Sequence, residues 1–386
     1  AGYPRPICHQ LKDPIKLMAK APADPDFDLK NQRPSAGEMR SFATGQALFL
    51  APLPLPTGHA PMDLGGSFLE VNDTYLDVGQ SNFNKAFQAQ LMIWVLMCVL
   101  ISCLIVLPLV ELAMFFGDPH ERTFMTHVMS MLEGLRFYSL LALLGGGFIA
   151  ILGCYSVIST TLQKARTRPM RFNRQRREVC YFPSGSDEPI IQPWEELVAW
   201  VSVSTGTTGE GIMSTYTLGM ALDNPKTDKT HFLNQGVLTP AHGLSKWEAI
   251  RVYMEKGPTF CPGKAPYEGR HTFDEKRESM REAYREGDCS AFGVAFWYVR
   301  NVITWWRFPY WVAEWDHRYS MKPMPASIEQ WSQSLPPAQW AKPSSALLAQ
   351  TAQIEKAFAK GQSFMDYFNS RLGETPSKQS ERVDGS

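Results

Sequence analysis

The fold of this chain is decided by two uncharged apolar stretches, LMIWVLMCVLISCLIVLPLV (91–110) and FYSLLALLGGGFIAILGCYSVISTTL (137–162). They lie within 25 and 27 consecutive residues, respectively, that include no Lys, Arg, Asp or Glu. A helix needs about 20 mostly apolar residues to cross the hydrocarbon core of a bilayer. The sequence therefore predicts a transmembrane hairpin with spans at about 88–112 and 137–162.

Small residues recur along one face of the second span, where Ala142, Gly146 and Ala150 are spaced four apart. On a helix this spacing forms one row, and a row of small residues lets a neighbouring helix approach closely. Only 26 residues (111–136) separate the two stretches, and they include the 20-residue connector 117–136. We therefore expect the two spans to pack as an antiparallel pair through this row.

A basic cluster follows the second span. Its seven members are Lys164, Arg166, Arg168, Arg171, Arg174, Arg176 and Arg177. Basic residues flanking a span favour the cytoplasmic side, so this cluster predicts a cytoplasmic C-terminal region and, with two spans, a cytoplasmic N-terminal segment. The cluster is also a candidate contact for anionic lipid headgroups. The alternative is that it only fixes the topology.

Strand patterns flank the hairpin on both sides. SFLEVNDTYLDV (67–78) predicts a short β-hairpin that adds to a sheet formed later in the chain. After the spans, strands are predicted in RPMRFN and REVCYF (168–182), PIIQPWEELVAWVSVS (189–204), IMSTYTLGMAL (212–222) and HFLNQGVL (231–238), with a turn at STGTTGEG (204–211).

SKWEAIRVYMEKG (245–257) predicts a helix that begins at a capping box of Ser245 and Glu248. Antiparallel strands followed by one helix are typical of a pleckstrin-homology-like barrel, and other small β-rolls share this order.

An aromatic segment, AFGVAFWYVRNVITWWRFPYWVAEW (291–315), carries five tryptophans. As one helix it would place Arg300 and Arg307 on a narrow polar stripe, flanked by Trp305 and Trp306. Such a helix suits the membrane interface, where indole rings are favoured. It equally suits the core of the cytoplasmic region, with both arginines paired, and the sequence leaves both interpretations open.

The predicted fold class is membrane α+β. A two-helix transmembrane hairpin is followed by a small antiparallel β-barrel or roll with a capping helix, and then by an additional helical C-terminal region. The predicted divisions are a proline-rich N-terminal segment with the short hairpin (1–85), the transmembrane hairpin (86–163), the β-domain (164–258), a helical, tryptophan-rich region (259–372) and a disordered tail (373–386).

Composition and motifs argue against several function classes. The 38 basic and 38 acidic residues balance, so no overall field favours nucleic acid. The seven cysteines and eight histidines show no metal-ligand spacing, and HExxH and GxSxG motifs are absent from the sequence. We therefore predict a protein that is not an enzyme and that uses no cofactor or metal.

Three segments carry a family resemblance: NDTYLDV (72–78), PMRFNRQRREVCYF (169–182) and IQPWEELVAWV (191–201). They resemble a family of bacterial two-span inner-membrane proteins with a compact, pleckstrin-homology-like cytoplasmic domain. The genes of that family lie beside those of type VI secretion effectors. The resemblance implies an inner-membrane immunity or accessory protein, and it supplies no catalytic residue.

Two function hypotheses follow from these observations. The first is an inner-membrane binding protein whose partner is a toxin or a component of the secretion machinery. The alternative is a lipid-binding scaffold or sensor at the membrane surface, for which the basic cluster, Arg300, Trp305, Trp306 and Arg307 are the candidate contacts. In both hypotheses membrane lipids are partners, nucleic acid is not, and the oligomeric state is left open.

Overall fold

The computed structural model describes residues 28–80, 84–117, 124–183, 186–208 and 211–373. The expectations for residues 1–27 and for the polar tail 374–386 lie outside the described residues. The chain has a mixed α+β fold and divides into two compact units. The first unit comprises Ala1–Ala60, Glu195–Glu248 and Pro343–Ser386, and the second comprises Pro61–Trp194 and Ala249–Lys342.

Two helices of the second unit are long and apolar enough, by length and composition, to cross a membrane. The first stretch, Lys85–Val110, has 26 residues, and the second, Leu132–Ala165, has 34. Only 11% of the most apolar window of each is buried in the protein. The first stretch combines α1 (Lys85–Ile101), a π-helical segment (Ser102–Val106) and the start of α2 (Leu107–Gly117), and the second lies in α3 (Phe124–Ala165).

The row of small residues on α3 faces α1. A Cβ atom added at Gly146 would lie 3.3 Å from side-chain carbons of both Leu96 and Leu100. Ala142 is buried, whereas a Cβ added at Gly147 would meet nothing within 4 Å. The two helices therefore approach closely at Gly146, and the next glycine along α3 points away from α1.

The sheet of the second unit receives the predicted hairpin. Its strands are β3 (Phe68–Val71), β4 (Tyr75–Val78), β5 (Met170–Asn173), β6 (Glu178–Tyr181) and β7 (Ile190–Pro193), all antiparallel and in that spatial order. The β3–β4 hairpin is confirmed, and its turn is held by Asn72 Oδ1, which accepts from the amides of Thr74 (2.9 Å) and Tyr75 (2.8 Å). β4 pairs with β5, so the segment containing both apolar helices is inserted between neighbouring strands.

The sheet of the first unit is built in the same way, from strands on both sides of the apolar helices. Its order is β1 (Met39–Phe42), β2 (Gly45–Ala51), β8 (Val198–Thr208), β9 (Gly211–Asn224) and β10 (Lys229–Val237). Trp200 and Phe49 are fully buried at its core, with ring centroids 5.9 Å apart. The predicted turn at 204–211 is wrong over most of its length, because β8 continues to Thr208 and its Ser/Thr-rich end still pairs with β9.

The predicted β-barrel is also wrong. The described strands form two separate five-stranded sheets and no closed barrel. Residues 164–258 do contain antiparallel strands followed by a helix, but the strands divide between the sheets. Each sheet is completed by two strands from the chain before α1. The addition of β3 and β4 was predicted, whereas the addition of β1 and β2 was not.

The helix predicted at 245–257 begins earlier, as α4 (Pro240–Lys256). Thr239 caps it, because Thr239 Oγ1 accepts a hydrogen bond from an amide of the first turn (3.1 Å). Proline is favoured at the first helical position that follows. Ser245 therefore lies within the helix, and Glu248 accepts instead from the amide and hydroxyl of Thr57, both at 3.0 Å.

The remaining helices lie in the C-terminal third of the chain. They are α5 (Arg270–Glu286), α6 (Ala291–Ile303), α7 (Phe308–Tyr319) and α8 (Ala326–Trp331) in the second unit, and α9 (Ser345–Ala359) and α10 (Phe364–Gly373) in the first. The aromatic segment is therefore two helices, not the single helix that was predicted. Trp305 and Trp306 both adopt left-handed backbone conformations, with φ of 62° and 55°, so Arg300 and Arg307 do not share one helical stripe.

We predict that Gly146→Leu separates α1 from α3 and lowers the thermal stability of the full chain in detergent. The added side chain would clash with Leu96 and Leu100, because a Cβ atom at position 146 alone already lies at contact distance from both. Gly147→Leu is the matched control, since its side chain has open space, and it should leave the unfolding temperature nearly unchanged. Equal unfolding temperatures for the two variants would contradict this packing.

Candidate functional site

A buried polar cluster, here called the Asp316 cluster, lies where α1 begins and α3 ends. Asp316 of α7 is fully buried, and its carboxylate lies 3.0 Å from Lys164 Nζ and 3.6 Å from Lys85 Nζ. Thr161 Oγ1 donates a hydrogen bond to Asp316, and Lys85 Nζ donates to Thr160 Oγ1 at 2.7 Å. The cluster therefore ties α7 to both apolar helices.

His317, which follows Asp316 in α7, lies in surroundings that favour its neutral form. His317 stacks on Tyr267, with ring centroids 4.3 Å apart and planes 5° from parallel. Burial lowers the pKa of His317, the charges of Lys264 and Lys164 lower it further, and Asp316 opposes them. The proton therefore leaves His317 at a lower pH than it leaves an exposed histidine.

Aromatic residues join α5, α6 and α7 beside the start of α1. Phe273 and Tyr310 are buried with Ala86, and Trp306 packs against them, its ring 5.0 Å from that of Phe273. Trp305, by contrast, is exposed. The structure thus gives the two predicted interface tryptophans different positions, Trp306 in aromatic packing and Trp305 at the surface.

An apolar cavity of about 470 Å³ lies among α1, α3 and α7. Its wall includes Ala89, Met92, Ile93 and Leu96 of α1; Ala150, Gly153 and Cys154 of α3; and Trp305 with Phe308, Trp311 and Trp315 on the other side. None of the described residues that line it carries a charge. Ala150 of the predicted packing row therefore borders this cavity. Sequence reasoning missed the cavity because it assigned Trp305–Trp315 to one continuous helix.

Two members of the basic cluster are buried in ion pairs. Arg171 forms a bidentate pair with Asp77 (both contacts 2.7 Å) and lies 3.7 Å from the ring centroid of Tyr75. Although burial opposes the charge, the hydrogen bonds to Asp77 raise the pKa of Arg171. Arg177 forms a bidentate pair with Glu255, at 2.9 and 2.7 Å. This placement corrects the prediction that these two side chains meet lipid headgroups.

Of the other arginines predicted to contact lipid, some are paired within the protein and others are exposed. Arg168 pairs with Asp187 (2.7 Å), the Arg174 guanidinium lies 5.3 Å from the ring centroid of Trp340, and Arg176 donates to the carbonyl of Trp331 (2.8 Å). Arg307 pairs with Asp274 on α5. Arg166 and Arg300 are exposed.

The first unit carries an extended two-stranded ribbon. β8 and β9 pair as far as Thr208 and Gly211, but β2 pairs with β8 only as far as Ser204, and β10 pairs with β9 only as far as Tyr216. The β8–β9 ribbon is thus formed by residues 206–208 and 211–215, and no described strand flanks it. Its described residues include no charge and no proline, and Met213 is 64% exposed.

Among the described residues, two features bear on metal and thiol chemistry, the arrangement of metal-ligating side chains and the buried thiol of Cys180. No group of three or more His, Cys, Asp or Glu side chains among them is placed to hold a metal ion. Burial raises the pKa of the Cys180 thiol to about 12, which keeps it protonated at neutral pH.

No known protein family, curated protein or solved structure matches this chain.

We predict that Asp316→Asn destabilises the second unit by about 3–5 kcal/mol, because it leaves two buried ammonium groups without their carboxylate. Thermal unfolding of the full chain in detergent measures the change. Asp187→Asn removes an acidic partner of Arg168 and Lys322 at a site that is 78% exposed, so the unfolding temperature should barely change. Similar losses for both variants would show that burial of Asp316 is not the cause.

Proposed function

We propose that this chain is a two-span membrane protein that acts by binding a partner protein. The surface of the apolar helices supports insertion. Leu143, for example, is 71% exposed, and Leu144, Phe148, Ile151 and Tyr155 of the same helix are also exposed. An exposed apolar surface of this extent is unfavourable in water, whereas lipid tails cover it without cost. In this proposal α1 with α2 and α3 form the transmembrane hairpin.

The proposed orientation places both sheets in the cytoplasm. Two spans return the chain to the side from which it came, so residues before Lys85 and after Ala165 share one side. Arg166, which follows α3 directly, is exposed, and Arg168 and Arg176 follow it. By the positive-inside rule this side is cytoplasmic. The family resemblance supports the bacterial inner membrane as the site of insertion in this proposal.

The binding function rests on one observation, the β8–β9 ribbon. A strand edge without a neighbour presents free amide and carbonyl groups, which a strand from another chain can pair with. Edges of soluble proteins are commonly protected by charge or proline, and the described ribbon residues include neither. We infer that a partner adds a strand to this ribbon, with Met213 as an apolar contact.

The family resemblance supports one class of partner. It makes the partner a toxin or a component of type VI secretion, and the chain an immunity or accessory protein. Immunity in this form works by occlusion and needs a complementary surface, not catalysis. The chain would then have no enzymatic activity of its own.

A second candidate function is a lipid-binding scaffold, which the surface of α6 favours. Phe292, Phe296, Val299 and Val302 are all exposed, at spacings of three or four residues that place them along one side of the helix. Such an apolar side beside the start of α1 suits the membrane interface. It adds a membrane contact to the protein-binding proposal and does not exclude it.

A photo-reactive amino acid at Met213 tests the binding proposal in intact membranes. We expect a discrete crosslinked protein adduct, identified by mass spectrometry, because a paired strand would lie beside this side chain. The control position is Leu238, an equally apolar residue that is 75% exposed and lies outside the ribbon. Identical adducts from both positions, or no adduct from Met213, would contradict partner binding at the ribbon.

A further inference from the structure

We propose that the cavity among α1, α3 and α7 holds one acyl chain of a membrane phospholipid as a bound ligand. The inference rests on the proposed membrane insertion of α1 and α3. It concerns a different site from the β8–β9 ribbon, and it adds a specific lipid partner to the proposed protein-binding function.

Small side chains create the space. Ala89 on α1 and Ala150 and Gly153 on α3 border the cavity, and a Cβ added at Gly153 would come no nearer than 3.9 Å to Met92. The volume of about 470 Å³ falls within the range of roughly 300–1,000 Å³ typical of ligand sites. The cavity is thus large enough for a flexible chain.

The lining selects an apolar ligand. Four aromatic rings, from Trp305, Phe308, Trp311 and Trp315, form one wall at spacings of three or four residues, and aliphatic side chains of the two apolar helices form the others. A site with so few polar groups offers water or an ion no adequate set of hydrogen-bond partners. A hydrocarbon chain needs none.

The depth of the cavity points to a phospholipid as the source of that chain. Its α1 residues, Ala89 to Leu96, follow Lys85 by 4 to 11 positions, which corresponds to about 6–17 Å along a helix. Half of a bilayer's hydrocarbon core is about 15 Å thick. If Lys85 and Lys164 mark the headgroup level, the cavity spans the depth that the acyl chains of one leaflet occupy. Its tryptophan wall lies near the interface, where indole rings are favoured.

The aromatic wall is held in place before any ligand binds. Asp316 joins α7 to Lys85 and Lys164 at one end of the helix, and Trp306 packs on Phe273 and Tyr310 at the other. Both attachments leave Trp311 and Trp315 directed at the cavity. Such a site loses little conformational entropy on binding.

The test compares wild-type full chain with Gly153→Leu and with the matched control Gly147→Leu. Leu at 153 would project into the cavity, and Leu at 147 would meet open space on the same helix.

Each protein is exchanged into detergent without added lipid, and retained phosphatidylglycerol is counted by native mass spectrometry. We expect one retained lipid in wild type and Gly147→Leu, and about tenfold less in Gly153→Leu, since discrimination by a single methylene already reaches about 10-fold. Equal retention by both variants, or none by wild type, overturns the proposal.

A labelling experiment on the unmodified protein keeps the proposal testable if Gly153→Leu fails to fold. Cys154 and Cys98 are both exposed thiols of the apolar helices, but only Cys154 borders the cavity. Adding phosphatidylglycerol to delipidated protein should slow maleimide labelling of Cys154 and leave Cys98 unchanged. Equal effects on both thiols would indicate general lipid coverage and contradict a bound chain.

An alkaline wash of membranes separates failure of this site from failure of the proposed function. A chain that stays in the washed membranes without protection of Cys154 would refute only the lipid site. A chain released by the wash would refute insertion, and the lipid site with it.

Discussion

The carboxylate of Asp316, buried between the ammonium groups of Lys85 and Lys164, is the interaction on which the second unit depends. A buried carboxylate is tolerated only where it is paired and hydrogen-bonded, and here Thr161 completes its surroundings. Because the three charges come from the start of α1, the end of α3 and the C-terminal half of α7, they fix the positions of these helices together. The aromatic packing around Phe273 and the apolar cavity both follow from that arrangement.

The insertion of the apolar helices into a sheet imposes a second constraint. Val78, at the end of β4, is the register partner of Met170, at the start of β5. The chain thus leaves the sheet and returns to it at adjacent strands, so the ends of the helical pair are held close together. Arg171 and Asp77, on these same two strands, are joined in a buried bidentate pair. Pairing of these two strands alone is enough to hold the ends of the two apolar helices close together. Along the helices, the small residue Gly146 allows close packing.

Local patterns predicted the local elements well. The two apolar helices follow from the length of their uncharged stretches, although α3 begins well before the predicted span, and the β3–β4 hairpin follows from residue alternation around its turn. The division into two sheets did not, because β2 pairs with β8 across an interval of about 150 residues that no local pattern spans. The roles of Arg171 and Arg177 were missed for the same reason, since their acidic partners lie 94 and 78 positions away. The break at Trp305 and Trp306 was missed because left-handed backbone is rare for large side chains, so residue propensity gives no sign of it.

The central claim is that the apolar helices lie within a bilayer, and spin labels test it most directly. Leu143 on α3 and Leu238 beyond β10 are almost equally exposed in the protein, at 71% and 75%, so only a membrane would distinguish them. In the full chain reconstituted into lipid bilayers, a label at Leu143 should collide readily with oxygen and poorly with a water-soluble nickel complex. A label at Leu238 should show the reverse. Equal nickel accessibility at the two positions would contradict the account.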